Sequence, residues 1–268
     1  MELTPKKISE FQSLIYTYYK ENKRDLPWRN TTNPYCILVS EVMLQQTQVS
    51  TVLKKYHLFL EKFPTIESLA QAPLKEVLSR WQGLGYNRRA IHLKKAAEEI
   101  VNAYQGKIPK TEKELRKIPG IGTATASSIL AFAFNQNTVF VETNIRSVFI
   151  HIFLKNKEGI SDSVILPLVE QTLDRNNPKE WYNALMDYGT FLKSQYSNPS
   201  KKSKHYKKQS TFKGSNRELR GVILKLLLQS SLSKEELINR LNDKRIELIL
   251  EQLEKEGLIH YKGNRVSV

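Results

Sequence analysis

A single carboxylate, Glu41, lies within an apolar stretch of the chain, and two amide side chains, Gln45 and Gln48, follow it. The stretch from Pro34 to Val49 has no internal Gly or Pro, and its apolar residues recur at helical spacing, which predicts a buried helix. A carboxylate among aliphatic side chains is desolvated, which favours its protonated form. A protonated acid beside amides can act as a general acid. The residues alone leave open a structural salt bridge to an Arg or Lys elsewhere in the chain.

A second carboxylate, Glu142, stands where an extended apolar run gives way to a helical pattern. Thr143 and Asn144 follow it and are residue types that cap helices, while a negative charge at this position complements the helix dipole. On the pattern alone, Glu142 is therefore a residue of a helix start.

The composition points to a polyanionic partner. The chain has 268 residues, one cysteine and a formal net charge of +15, which indicates nucleic acid, with a merely soluble basic protein as the alternative. One cysteine, Cys36, can form neither an intrachain disulfide nor a four-thiolate cluster. The histidines show no ligand spacing, so we predict no transition metal. No apolar run approaches membrane-spanning length and the N-terminus is not a signal peptide, so we expect a protein of the cytoplasm or nucleoid with no membrane partner.

Helices must position these residues, because strand signals are scarce before the C-terminal end. Helical patterns run over 7–22, Pro34 to Phe63, Ile66 to Ala72, Leu74 to Gln82, Arg88 to Tyr104, Thr111 to Ile118, Thr123 to Phe134 and 163–193. The large region is therefore predicted to be all-α.

The loop over 81–89 carries Gly83 and Gly85 and presents Tyr86, with Leu84 nearby, on a basic tip. An aromatic or apolar side chain wedged into a base step is one way in which proteins unstack DNA. Packing of Tyr86 within the protein is the alternative.

A second glycine pair, Gly120 and Gly122, separates two helical patterns. Glycines here let the amides of Gly122, Thr123, Ala124 and Thr125 face one point at the positive end of the following helix. That arrangement predicts a sequence-independent phosphate clamp, with an ordinary interhelical turn as the alternative.

The quoted segments together resemble a known family. LPWR at 26–29 and SEVMLQQTQV at 40–49 closely resemble the MutY-type adenine DNA glycosylases, and PGIGTATA at 119–126 matches the signature of their helix-hairpin-helix (HhH-GPD) superfamily. The resemblance covers about residues 8–193. It implies a monomeric enzyme that binds double-stranded DNA with a mismatch or an oxidised base and excises adenine opposite 8-oxoguanine or guanine in base-excision repair. The family's domain that recognises 8-oxoguanine is larger than the residues available after 213.

The resemblance assigns roles to individual residues. Glu41 would protonate the flipped adenine, Glu142 stands where the family has an Asp that stabilises the sugar cation, and Asn144 matches the family. Tyr86 would insert beside the flipped base. The base pocket and wedge would comprise Trp28, Arg29, Gln45, Gln48, Leu84 and Tyr86, and carbonyls near Ile118 and Ile121 would suit a structural monovalent cation.

Three departures from the family refine the expectation. Ala124 occupies the position where bifunctional relatives carry a Schiff-base lysine, which predicts a monofunctional hydrolase. Lys193 occupies the position of the first cluster cysteine, so we expect no 4Fe-4S cluster and either a phosphate-contacting basic segment or a solvated linker in its place. Glu142 adds a methylene to the family Asp, and a displacement near an ångström can cost about 100-fold in rate.

The resemblance and the C-terminal pattern give the expected architecture: a glycosylase domain over 1–195, with a six-helix barrel at about 31–137 and a second subdomain from 1–30 and 138–195, a basic linker over 196–213 and a small domain over 214–268. Three helical patterns and a hairpin around Lys262, Gly263 and Asn264 predict a winged helix-turn-helix for the last. Its third helix is acidic, which favours protein docking over groove reading, with Lys262 and Arg265 as candidate phosphate contacts.

Two alternatives stay open for the whole protein: a thymine or uracil mismatch glycosylase, and a catalytically weak protein that binds damaged DNA.

Overall fold

The computed structural model describes residues 1–268, and every regular element before residue 232 is a helix. The helices before residue 196 are α1 Pro5–Asn22, α2 Pro34–Leu44, α3 Val49–Lys62, α4 Ile66–Gln71, α5 Leu74–Trp81, α6 Arg88–Tyr104, α7 Glu112–Leu115, α8 Thr123–Phe134, α9 Thr143–Phe153, α10 Asp162–Thr172 and α11 Pro178–Gln195, with a 3₁₀ helix over Pro27–Arg29. This confirms the all-α prediction for the large region. None of the helices combines the length and apolar content that a membrane span requires.

The predicted helical run from Pro34 to Phe63 is wrong at one point, because the chain turns between α2 and α3. Gln46 adopts a left-handed conformation with φ of 55°. The backbone N–H of Thr47 donates to the carbonyl of Leu44 and closes the turn at 3.3 Å. Gln45 therefore follows the end of α2, and Gln48 is the N-cap residue of α3.

The C-terminal segment follows a second 3₁₀ helix, Pro199–Lys202, and contains α12 Asn216–Gln229, β1 Leu232–Ser233, α13 Lys234–Leu241, α14 Ile246–Lys255, β2 His260–Lys262 and β3 Arg265–Ser267. The strands form an antiparallel sheet in the order β1-β3-β2. The predicted hairpin is confirmed as β2–β3. Ser233 and Glu236, whose three-residue spacing in the sequence predicts a capping box, form one at the start of α13. The short strand β1 was not predicted. The winged-helix assignment stays a prediction.

Residues in contact group the chain into two compact units. The first, hereafter unit one, contains 1–38, 110–117 and 121–208, and the second, unit two, contains 39–109, 118–120 and 209–268. Within unit two, α12 packs against α5, so the C-terminal helices and α3–α6 belong to the same unit. The predicted domain boundaries stay predictions.

The core of unit one joins α1 to α9, α10 and α11. Phe11 of α1 packs edge-on against Phe149 of α9 and Trp181 of α11, with ring centroids 5.4 and 5.7 Å apart. Edge-to-face pairs of this kind contribute about 0.5–1.5 kcal/mol beyond the burial of their surface. The start of the chain is thereby fixed against the helices that follow Glu142.

A buried ion pair also connects the two ends of this unit. The Asp187 carboxylate of α11 accepts hydrogen bonds from the Arg29 guanidinium at 2.7 and 2.8 Å and from Arg24 Nε at 2.5 Å. Burial raises the pKa of Asp187, but the hydrogen bonds and charges of Arg29 and Arg24 outweigh burial and hold that pKa below its usual value.

We expect Asp187→Asn to lower the free energy of unfolding by about 3–5 kcal/mol at neutral pH, because the substitution leaves buried guanidinium charge without its partner. Chemical denaturation at pH 7 measures the loss. The matched control is Glu76→Gln, which breaks an exposed pair with Lys62 and should cost less than about 1 kcal/mol. Since the folded-state pKa of Asp187 is lowered, its contribution is complete above the ordinary carboxyl pKa and is lost as pH falls through the folded value. Equal losses in the two variants would contradict the prediction.

Candidate active site and nucleic-acid interface

Glu41 lies in the last turn of α2, and its side chain is partly buried. The last four carbonyls of an α-helix have no partner within the helix. Here Arg89 of α6 supplies partners for two of them: its Nη1 donates to the carbonyls of Val42 and Met43, both at 2.8 Å. A side chain from another helix thus fixes the end of the helix that carries Glu41.

The same guanidinium also holds the glycine-rich loop. Arg89 Nη2 donates to the carbonyls of Leu84 and Gly85, both at 3.0 Å, and to Thr47 Oγ1 at 2.9 Å. Thr47 Oγ1 in turn donates to the Leu84 carbonyl at 3.1 Å. The end of α2 and the loop before α6 therefore share one buried donor, and this set of contacts is hereafter called the Arg89 junction.

The Arg89 junction places a charge in the interior without a carboxylate. Arg89 is 8% exposed, and burial lowers its pKa to about 10, so it remains charged at neutral pH. Its guanidinium carbon also lies 5.3 Å from the Trp81 ring centroid, within the range of a cation–π contact. Carbonyl oxygens and an aromatic face replace the water that the charge has lost.

Tyr86, the predicted DNA wedge, follows the glycine-rich loop in a left-handed conformation with φ of 46°. Its phenol oxygen accepts hydrogen bonds from Gln209 Nε2 at 2.5 Å and Arg217 Nη1 at 3.1 Å. The guanidinium carbons of Arg89 and Arg217 lie 5.7 and 5.6 Å from its ring centroid. The C-terminal segment therefore contacts the residue that sequence analysis assigned to DNA.

The structure gives Arg29, a predicted pocket residue, a different contact. Arg29 is 9% exposed and donates to Asp187 and to the carbonyls of Arg24 and Asn183. Trp28 is also buried, in the short 3₁₀ helix. The sequence-based roles of both residues in a base pocket stay predictions.

The second glycine pair lies directly before the N-terminus of α8. Gly122 is the N-cap residue of α8, it provides no side-chain cap, and a Cβ on it would meet no atom within 4 Å. Thr123 and Ala124 are exposed, so the first amides of α8 begin in open space with no acidic residue in the first turn. This is the arrangement that helix N-termini use for phosphate. The predicted cation at carbonyls near Ile118 and Ile121 stays a prediction.

Glu142 is itself the N-cap residue of α9, where sequence analysis expected Thr143 or Asn144 to cap. Its Oε1 accepts from the backbone N–H groups of Asn144 at 2.7 Å and Ile145 at 2.8 Å, while Oε2 accepts from Asn144 Nδ2 at 3.2 Å. A carboxylate at a helix N-terminus is stabilised by these donors and by the helix dipole. Glu142 and Asn144 thus form one hydrogen-bonded group, and their catalytic roles stay predictions.

Lys193 completes this group from α11. Its Nζ donates to Asn144 Oδ1 at 2.9 Å, and the amide of Asn144 is therefore held between an acceptor on Glu142 and a donor on Lys193. Burial lowers the pKa of Lys193, while the nearby Glu142 raises it. Gly189, one turn before Lys193, lets the helices approach, because a Cβ there would lie 2.5 Å from the Asn144 carbonyl oxygen.

The segment after α11, predicted to be a basic linker, is ordered in part. The N–H of Ile160 donates to the Lys202 carbonyl and the N–H of Lys204 donates to the Ile160 carbonyl, both at 2.9 Å. Lys202 Nζ also pairs with Glu158. No group of three or more His, Cys, Asp or Glu side chains is placed to hold a metal ion.

Sequence reasoning missed two contacts of the site. These are the hydrogen bonds of Arg89 to α2 and the glycine-rich loop, and the hydrogen bond of Lys193 to Asn144. A signal for Arg89 exists in the sequence: it shares the helical face of Leu93, Ala97 and Ile100, all of which are buried. A charged residue on the apolar face of a helix must find polar partners, and here they come from α2 and the loop. No comparable signal marks Lys193.

Comparisons with known proteins fit this arrangement. Residues 39–165 match the family described as HhH-GPD superfamily base excision DNA repair protein. The chain is 36% identical over 186 residues to the adenine DNA glycosylase of Buchnera aphidicola subsp. Baizongia pistaciae, which covers 68% of this chain and 52% of that protein. The chain thus spans about half the length of that relative.

Two further similarities are to glycosylases named for thymine or uracil, where the relative above is named for adenine. The chain is 29% identical over 219 residues to the thymine/uracil-DNA glycosylase of Methanothermobacter thermautotrophicus, covering 78% of this chain and 99% of that protein. Among solved structures, that of a thermostable thymine-DNA glycosylase matches with a TM-score of 0.66 and 27% identity, covering 75% of this chain and 94% of that one.

The contacts of the Arg89 junction predict that substitution of Arg89 lowers the free energy of unfolding much more than substitution of its neighbour Arg88. We expect Arg89→Lys to lower the free energy of unfolding by about 3 kcal/mol, because an ammonium cannot serve five acceptors and buried carbonyls lose their donors at about 1 kcal/mol or more each. The control, Arg88→Lys, changes an exposed residue next to it and should cost less than about 0.5 kcal/mol. Urea unfolding of both variants measures the difference, and indistinguishable midpoints would refute the structural role of Arg89.

Proposed function

We propose that the chain, whose residues 39–165 match the HhH-GPD superfamily of base excision DNA repair proteins, is a monofunctional DNA glycosylase that removes mispaired adenine from duplex DNA. The target base leaves the stack, its N-glycosidic bond is hydrolysed and an abasic site remains. The observation that carries the proposal is the Arg89 junction, since it fixes the helix of Glu41 to the loop of Tyr86. A proton donor and a DNA wedge then have a defined separation before the substrate arrives.

In this reaction Glu41 donates a proton to the departing adenine, and the electron pair of the glycosidic bond leaves with the base. Positive charge develops on the sugar, and a fixed carboxylate stabilises it. We assign that carboxylate to Glu142, which also orients the water that attacks the anomeric carbon. Two helix amides and the Asn144 side chain hold the Glu142 carboxylate in a fixed position.

The monofunctional assignment follows from Ala124. Ala124 is exposed at the start of α8, where a lysine would be required for the Schiff-base route at the hairpin. The reaction then stops at the abasic site, and strand cleavage needs added alkali.

We also propose that the chain works without an iron–sulfur cluster. The lysine at 193 binds Asn144, and backbone hydrogen bonds to Ile160 hold the following segment in place. Protein contacts of this kind supply the order that a cluster would otherwise impose. The partner is double-stranded DNA with a mismatch or an oxidised base, and one chain suffices for the site.

The experiment that tests the proposal is a single-turnover assay on labelled duplexes with adenine opposite 8-oxoguanine or guanine, and thymine or uracil opposite guanine. Each sample is divided and half is heated with alkali. We expect the adenine strands to break only after alkali, and Glu41→Gln to slow base release by at least about 100-fold, the usual contribution of a general acid. Glu99→Gln, an exposed carboxylate on α6, is the matched control and should leave the rate unchanged. Breakage without alkali would contradict the monofunctional assignment.

A second candidate, release of thymine or uracil, rests on one observation. The chain covers nearly the whole thymine/uracil relative, at 29% identity, but only about half of the adenine relative, at 36% identity. Release from the thymine or uracil duplexes with the adenine duplexes intact would establish this candidate. Binding of the duplexes without release from any of them would instead identify a protein that binds damaged DNA.

Glu142→Gln separates the capping role of Glu142 from the proposed catalytic one. The amide keeps the size and one capping oxygen but lacks the negative charge, so we expect base release to slow by about 100-fold or more. The free energy of unfolding should fall by no more than about 1 kcal/mol, the usual value of a cap. Single-turnover rates and urea unfolding measure the two effects. A variant that keeps the full rate would show that Glu142 acts only as a helix cap.

A further inference from the structure

A cavity of about 350 Å³ lies in unit two between α6 and α14. From α6 it is lined by Arg88, His92 and Lys95, and from α14 and the residue after it by Lys255 and Glu256. The arginine and both lysines are exposed, so the cavity is open to solvent. Its volume lies within the usual range for ligand sites.

The charge of this cavity is positive. Glu256, its carboxylate, forms an ion pair with Arg220 and is neutralised within the protein. Arg88, Lys95 and Lys255 form no salt bridge in the structure. Like charges held close together repel one another, and an anion between them removes that repulsion.

The cavity lies near two residues of unit two that were predicted to contact DNA, Tyr86 and Gly120. Arg88 follows Tyr86 by two residues, at the N-terminal and therefore positive end of α6. His92 packs against the turn between α7 and α8, because a Cβ on Gly120 would lie 2.6 Å from His92 Cβ. Only a glycine fits at that point of the turn, where φ is 80°.

We propose that this cavity, hereafter the α6–α14 cavity, binds a backbone phosphate of duplex DNA and so makes the C-terminal segment part of the DNA-binding surface. The inference rests on the proposed function, from which it takes duplex DNA as the binding partner. It assigns a site to α14, for which sequence analysis favoured a protein-docking role.

The lining favours phosphate over a base. Lysine and arginine side chains are the usual phosphate ligands, and these contacts fix the protein on the duplex without reading sequence. The lining contains no Phe, Tyr or Trp side chain on which a base could stack. The acidic residues of α14 do not line the cavity, and Glu256, which does, is paired with Arg220.

His92 provides a local reporter. Burial and then the charges of Arg88 and Lys95 lower the pKa of His92, and the groups that face it across the cavity are Lys255 and Glu256. A phosphate in the cavity introduces negative charge and therefore raises that pKa. The imidazole signals of His92 should titrate at higher pH in the presence of duplex.

The test measures duplex affinity by fluorescence anisotropy on the full chain, at several salt concentrations, with undamaged DNA. Each neutralised phosphate contributes about 0.9 to the slope of log affinity against log salt concentration. Loss of one contact therefore weakens binding roughly eightfold more at 0.1 M salt than at 1 M salt. We expect Lys255→Glu and Lys95→Glu each to weaken binding by at least about eightfold and to reduce the slope by about one. Lys255→Arg should retain wild-type affinity.

The matched control is Lys225→Glu, which makes the same charge change at an exposed position of α12 outside the cavity. If it weakens binding as much as Lys255→Glu, or if neither cavity variant changes affinity and slope, the proposal is overturned. An unchanged titration of His92 with duplex present also overturns it. Base release is scored separately, so a chain that binds through the cavity but releases no base would refute the proposed function and leave this site standing.

Discussion

A buried guanidinium, Arg89, is the interaction on which the proposed chemistry of unit two depends. It binds the end of α2, which carries Glu41, and the loop before α6, which carries Leu84 and Tyr86. Burying a charge is unfavourable unless polar partners replace its water. The carbonyls stabilise the buried guanidinium, and the guanidinium supplies hydrogen-bond donors to the carbonyls. The mutual dependence restricts the junction to one arrangement. A general acid and a wedge on independent loops would have to be ordered by the substrate itself, at an entropic cost.

In unit one, a different set of contacts fixes the position of the second predicted catalytic carboxylate, Glu142. Glu142 caps α9 and binds Asn144, and Lys193 on α11 fixes that asparagine from the other side. The methylene that distinguishes Glu142 from the family Asp is accommodated by a carboxylate that bonds two backbone N–H groups at 2.7 and 2.8 Å. The longer side chain therefore does not lose its fixed position, which is what stabilisation of a developing cation requires. The substitution that looked like a sign of weak activity is structurally compatible with catalysis.

Local rules explain what the sequence could predict. Helical periodicity located the helices, and the spacing of Ser233 and Glu236 located a capping box, since both signals extend over three or four residues. The break at Gln46 was missed, and the Arg89 side chain that binds the end of α2 there comes from 46 residues further along the chain than Met43. The contacts of Tyr86 with Gln209 and Arg217 were also missed. Long-range polar contacts leave no periodic signal, and they are what turns the predicted helices into a site.

The large positive charge divides into two classes with different physical roles. Arg29 and Arg89 are buried, and their hydrogen bonds to Asp187 and to backbone carbonyls make them elements of the fold. Arg88, Lys95 and Lys255 are exposed and have no carboxylate partner, so they are free to bind an anion. Net charge alone therefore overstates the phosphate-binding capacity of the chain. Three of the unpaired cations of unit two, Arg88, Lys95 and Lys255, line one cavity, and the proposed phosphate site rests on these three.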